Sequence, residues 1–376
     1  MTGQILTADQ ARLRASRTSV KWRAHPEHVL PLWVAEMDAE PCAEVVHAVS
    51  DALRRGDTGY SWGEPLVEAF TGFARRRWGW EVEGARVLQT PDVMIGISEL
   101  VHAHTSHTGT VVVSPPVYDS FYGFIEASGR RLLTAPLGDD LRLDPEALER
   151  AFAQAGAGSV YLLCNPQNPT GTVHTAAELA ALAGLAEAHG VLVVSDEIHA
   201  PLVHAGATFT PYLGVPGAER GIALVSGSKA WNLAGLKTAL AVPGPGAELG
   251  LHEVVTHGAQ HLAVIAQTTA WNEGEPWLAQ LHTELADRRR LLTDLLDDQL
   301  PEVRVAPAQA TFLSWLDCRA LGLDDPAAAF LEAGVALVAG TRYDTRADGW
   351  VRLNHATSTE VLNEAVARMA QVRRTA

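Results

Sequence analysis

Four apolar runs punctuate the middle of the chain: TVVVS (110–114), SVYLLC (159–164), VLVVS (191–195) and IALVS (222–226). Each is short, rich in Val, Ile and Leu, and apolar at successive rather than alternate positions. That pattern predicts strands covered on both faces. Between them lie helical patterns with recognisable ends. Asp144 and Pro145 supply an N-cap and a first-turn proline ahead of EALERAFAQA. Thr175 and Glu178 have capping-box spacing before LAALAGLAEAH, and Gly190 follows its last turn. Strands interleaved with helices predict a mostly parallel sheet with helices on both sides.

The pattern changes toward the end of the chain. A long helical stretch, EPWLAQLHTELADRRRLLTDLLDD (275–298), leads into TFLSWLD (311–317) and then short elements. Thr357 and Glu360 repeat the capping-box spacing before a final helix. The expected organisation is a large α/β domain over residues 45–275 and a smaller α+β domain over 276–376. The opening segment, 1–44, is expected to pack on the smaller domain.

Composition narrows the function. Of 376 residues, 47% are hydrophobic and 19% charged, a globular balance with enough material for a sizeable core. The 29 basic and 44 acidic side chains give a net charge of −15, which argues against nucleic acid or an anionic membrane as partner. The three cysteines, Cys42, Cys164 and Cys318, are widely spaced and form no C-x-x-C, so neither a disulfide framework nor a zinc site is expected. No apolar stretch approaches the ~20 residues that span a bilayer, and the first residues lack a signal-peptide core. These features predict a soluble cytoplasmic protein with no metal.

Polar groups follow three of the strands. After SVYLLC comes NPQNPTG, with Asn165 and Asn168; after VLVVS comes DEIHA, with Asp196, Glu197 and His199; after IALVS comes GSKAWN, with Lys229. In open parallel sheets ligands bind beyond the carboxyl ends of the strands, so these groups share one rim. Alone, each is ordinary: a turn, a solvated charge, a surface lysine. An amide, a carboxylate and an amine together match the needs of pyridoxal phosphate (PLP), which takes an amine at its aldehyde and an acid at its ring nitrogen.

The chain resembles the fold-type-I PLP-dependent enzymes of the aspartate aminotransferase superfamily, and within them the MalY/PatB-type cystathionine β-lyases. The resemblance rests on SVKW…VLPLWVAEMD (19–38), GYSWG (59–63), PPVYDSF (115–121), NPQNPTG (165–171), SDEIHAPL (195–202) and SGSKAWNLAGLK (226–237). TFLSWLDCRAL (311–321) and WVRLNHA (350–356) match more loosely.

That resemblance implies a role for each matching residue. Lys229 would join the cofactor aldehyde and later move the substrate's Cα proton. Asp196 would keep the pyridine nitrogen protonated, Asn168 would donate to the phenolic oxygen, and Tyr118 would stack on the ring. Ser226, Ser228 and Lys237 would hold the phosphate, with backbone N–H groups of Val93 and Met94 at a helix start. Asp92 stands where relatives usually carry glycine, and a carboxylate there is unfavourable unless it points away. Tyr60 would reach the phosphate of a neighbouring subunit, implying a homodimer with active sites at the interface. Arg352 would clamp the substrate carboxylate, unless it is a salt-bridged strand arginine. Trp33 would line the substrate channel or simply pack. His199 stands where many transaminases carry a tyrosine near the phenolic oxygen.

The function this implies is α,β-elimination of a small amino-acid substrate, L-cystathionine or a related cysteine S-conjugate, to a thiol, pyruvate and ammonia. An aminotransferase needs the same residues and stays open as an alternative. A cofactor-bearing regulator that binds another protein is a third reading. The segment VAGTRYDTRADGWVRLN (338–354) is degenerate against the family, so substrate preference is least legible there.

Overall fold

The computed structural model describes residues 4–7 and 9–374. In chain order its strands are β1 (Leu30–Pro31), β2 (Leu88–Thr90), β3 (Thr110–Val113), β4 (Arg131–Thr134), β5 (Val160–Cys164), β6 (Leu192–Asp196), β7 (Ile222–Val225) and β8 (Ala239–Pro243), then β9 (Arg304–Val305), β10 (Leu313–Asp317), β11 (Val335–Ala336), β12 (Val338–Ala339) and β13 (Trp350–Asn354). The four apolar runs are β3, β5, β6 and β7. They lie side by side in a seven-stranded sheet of order β2-β8-β7-β6-β5-β3-β4. The pairings from β4 through β7 are parallel, and β8 runs antiparallel to both its neighbours.

The unbroken apolar runs have a direct cause in the packing. Val111 and Val113 of β3 face a layer containing Ile97, Leu100 and Phe121, while Val112 faces a layer containing Leu148, Phe152 and Leu182. Both faces therefore bury side chains, and each fully buried Val or Leu contributes roughly 1.5–3 kcal/mol. The helices over Pro145–Ala155 and Ala176–His189 begin at the predicted caps: Asp144 accepts from Glu146 N–H, and Thr175 and Glu178 form the reciprocal box.

A four-stranded antiparallel sheet, order β12-β13-β10-β9, lies in the C-terminal part, after the long helix Glu275–Gln299. Near the start of the chain, β1 pairs in parallel with β11. The last helix corrects one expectation. It spans Thr359–Met369 and its N-cap is Ser358, not Thr357. Thr357 is held in the preceding turn, its N–H on the His355 carbonyl and its own carbonyl taken by Arg288 Nε at 3.0 Å. The helix therefore starts one residue later, and the spacing to Glu360 no longer makes a box.

Candidate active site

Register decides which residues meet. Cys164 pairs with Asp196 and Asp196 with Leu224, so β5, β6 and β7 end nearly level. Asn165, Asp196 and Ser226 thereby reach the same edge. The second sheet closes the site from the other side, because β13 carries Arg352 between Trp315 and Val338. The segment after β1 is strung between two asparagines. Asn354 Nδ2 donates to the carbonyls of Val34 and Glu36, and Asn232 Oδ1 accepts from Met37 N–H.

These elements enclose a cavity of about 460 Å³. Trp33, Val93, Met94, Tyr118, Asn168, Asp196, His199, Ser226, Ser228, Lys229, Lys237 and Arg352 all line it. Tyr60 does not: it is 99% exposed and lies outside the cavity of its own chain. Asp92 does line it, and it does not point away. One carboxylate oxygen caps the helix Val93–His104 by accepting from Ile95 N–H at 2.7 Å, and the other meets Lys237 Nζ at 3.0 Å. Asp92 thus sits beside the helix start, where Val93 and Met94 are the first helical residues and their N–H groups have no partner within the helix.

The electrostatics follow from burial. The Lys229 amine donates to the Ala35 carbonyl at 3.1 Å. Its pKa is lowered to about 8 by desolvation, then by the nearby Arg352 cation, against the opposing pull of Asp196. Burial raises the Asp196 carboxyl to about 6, although Ile198 N–H donates to it at 3.1 Å. His199 is pushed down to about 3 by burial and by the charges of Lys229 and Arg352, so it is neutral. Burial also raises Tyr118.

Arg352 Nη1 donates to Asn168 Oδ1 at 3.2 Å and Nη2 to the Trp33 carbonyl at 3.0 Å, with the Tyr343 ring 4.9 Å from its Cζ. No carboxylate pairs with Arg352 among these contacts, and its Nε is buried without a partner. With Oδ1 held by the arginine, the Asn168 amide presents Nδ2 as its donor. Ser226 Oγ sits between Ser228 Oγ (3.1 Å), the Thr238 carbonyl (2.9 Å) and Gln267 Oε1 (3.2 Å).

Two contributors, Asp119 and Arg342, take no role from the sequence, and a third, Glu197, is placed by it on the rim without its burial. Asp119 and Arg342 line the cavity as an ion pair at 2.9 Å. Glu197 lies buried behind Asp196 and collects Asn165 Nδ2, Ser195 Oγ and Tyr212 N–H on one oxygen. Glu197 stood within a quoted motif, and only its burial, visible after folding, marks it. Asp119 and Arg342 lie 223 positions apart, by their numbers, and no periodicity links them.

The donor set fits PLP. Hydroxyls, one ammonium and open helix N–H groups suit a phosphate at one end. A half-buried amine and a buried carboxylate suit the aldehyde and the ring nitrogen. Among the described residues no cluster of His, Cys, Asp and Glu could hold a metal ion, and no helix is long and apolar enough to cross a membrane.

Comparison with known proteins agrees. Residues 29–369 match the family described as aminotransferase class I and II. The chain belongs to that family. Within the aminotransferase class I and II family, a Mycobacterium leprae protein is 48% identical, covering 97% of this chain and 96% of its own. Cystathionine beta-lyase PatB of Bacillus subtilis is 32% identical, over 96% of this chain and 98% of PatB. The crystal structure of a Corynebacterium diphtheriae protein at 33% identity superposes with a TM-score of 0.92, covering 98% of this chain and 99% of that one.

Proposed function

We propose that this protein is a PLP-dependent carbon–sulfur β-lyase that cleaves L-cystathionine or a related cysteine S-conjugate to a thiol, pyruvate and ammonia. The observation that carries the reading is the convergence of Lys229, Asp196 and Arg352 on one cavity, each from a different strand end or sheet. The full-length similarity to PatB, named a cystathionine β-lyase, favours the lyase over amino transfer.

When bound, PLP supplies an electron sink for the charge that develops at the substrate's Cα. Ser226, Ser228, Lys237 and the N–H groups of Val93 and Met94 would bind the phosphate. Asp196 would hold the proton at the ring nitrogen, Asn168 Nδ2 would donate to the phenolic oxygen, and Tyr118 would cover the ring face. Arg352 orients the α-carboxylate with its Nη groups and Nε. The Lys229 amine, its pKa lowered to about 8 and so about half neutral near pH 8, would take the Cα proton. The Cβ–S bond would then break with its electron pair leaving on sulfur, which takes up a proton to become the thiol, and the remaining three-carbon enamine would take up water to give pyruvate and ammonia. Trp33 borders the cavity, and His199, held neutral at ordinary pH by burial, would not exchange protons there.

The same reading divides the chain at 44 and 275, and the seven-stranded sheet at 88–243 and the four-stranded sheet at 304–354 support it. It makes the protein a homodimer, supported by the full exposure of Tyr60 and the 67% exposure of Trp62 in the same loop. It places the protein in the cytoplasm, where Cys42, Cys164 and Cys318, all free, stay reduced.

The test is pyruvate and thiol release from L-cystathionine with no 2-oxoacid added. Turnover only in the presence of a 2-oxoacid would make the protein an aminotransferase.

A further inference from the structure

Asp119 stands at the N-cap of the helix Ser120–Ser128, the position where a carboxylate ordinarily caps, yet it makes no capping hydrogen bond. Its carboxylate instead faces the cavity and pairs with Arg342 Nη2 at 2.9 Å. Arg342 ends the short turn Gly340–Arg342, and the next residue, Tyr343, packs its ring on Arg352. The turn is tied to the helix that carries Asp119: the Tyr343 carbonyl accepts from Val117 N–H at 3.1 Å and from Tyr122 Oη at 2.8 Å. One wall of the cavity therefore carries Arg352 and, one residue before its packing partner Tyr343, a positive charge paired with the negative charge of Asp119.

We propose that Arg342 and Asp119 form a distal subsite that holds the far end of the sulfur substituent where that end is itself an α-amino acid. The distal carboxylate pairs with Arg342 and the distal ammonium with Asp119, so the ligand's zwitterion exchanges partners with the protein's own pair. The Arg342 side chain is 65% exposed and that of Asp119 17%. A pair so open on its arginine side holds little free energy, and re-pairing with a ligand is cheap. Simple S-alkyl conjugates present neither charge to this wall and leave the pair as it is. This subsite rests on the lyase reading above.

The test uses holoenzyme and four conjugates: L-cystathionine, S-(2-carboxyethyl)-L-cysteine, S-(2-aminoethyl)-L-cysteine and S-ethyl-L-cysteine. Arg342→Ala is expected to lower kcat/KM for the first two at least tenfold more than for S-ethyl-L-cysteine, mainly through KM, with Arg342→Lys recovering part of the loss. Asp119→Asn is expected to do the same for L-cystathionine and the aminoethyl conjugate, and not for the carboxyethyl one. Arg342 is exposed, so its variants remain informative even if Asp119→Asn folds poorly. Equal factors across all four conjugates would overturn the subsite while leaving the lyase reading intact. Release of pyruvate from none of them by the unaltered enzyme would overturn the lyase reading itself.

Discussion

Asp92 holds Lys237 at 3.0 Å while capping the helix whose first N–H groups face the cofactor cavity. A phosphate dianion arriving there meets a cation already paired and a carboxylate beside it. At an effective dielectric of 20, two like charges about 4 Å apart repel by roughly 4 kcal/mol per charge pair, an upper figure for a site as open as this.

Replacing Asp92 with Asn keeps the cap, since Asn caps as well as Asp, and removes the charge. Asp92→Asn is expected to tighten PLP binding about tenfold and to leave binding of pyridoxal, which lacks the phosphate, unchanged. Equilibrium titration followed by absorbance reads both. Equal affinity for PLP in the two proteins would mean that the carboxylate swings clear on binding.

Lys229 should set the pH dependence of cofactor loading. Only the neutral amine attacks an aldehyde, and burial lowers this amine from 10.5 to about 8. The loading rate, followed by stopped-flow absorbance, is expected to rise with pH up to about 8 and then level off. A rate still climbing at pH 10 would show an amine of ordinary basicity. Lys229→Ala should abolish the visible band of lysine-linked cofactor and slow turnover by about 10²–10⁴-fold.

Among the described residues Arg352 has no carboxylate partner and its buried Nε has no partner, which suits a group kept for a ligand anion. Arg352→Ala is expected to weaken amino-acid binding by about 2–5 kcal/mol, seen as a raised KM in steady-state kinetics. Arg352→Lys should recover only a fraction, because an ammonium cannot reproduce the planar fork. An unchanged KM in the alanine variant would assign the substrate carboxylate to another group.

Glu197 should tie stability to pH. Burial raises its carboxyl from 4.5 to about 7, so the buried protonated form is favoured by folding. Its contribution is complete below pH 4.5 and is lost as pH rises through 7. The full span is on the order of 3 kcal/mol. Glu197→Gln, which cannot ionise, should flatten the fall in melting temperature between pH 5 and 8. An identical slope in both proteins would show that other groups carry the pH response.

The apolar runs and caps were legible because they are local. Short continuous Val, Ile and Leu stretches bounded by turn residues fit strands buried on both faces, and Asp144, Thr175 and Gly190 act on neighbours a few residues away. Motif resemblance extended that legibility to the site: all but one of its named side chains line the cavity. Tyr60 stands outside the cavity of its own chain; in the proposed dimer its target would lie on another copy.

What tertiary structure decided concerns pairs of charges far apart in sequence. The turn of Asp92 toward Lys237, the facing of Asp119 and Arg342, and the depth of Glu197 all depend on how strands register and sheets close. A charge's meaning in a protein is set by its partner and its solvation, and neither is written in the residues beside it. The chain sequence determined which chemistry converges at the strand ends; the fold alone determined how those charges are paired, buried and presented to a ligand.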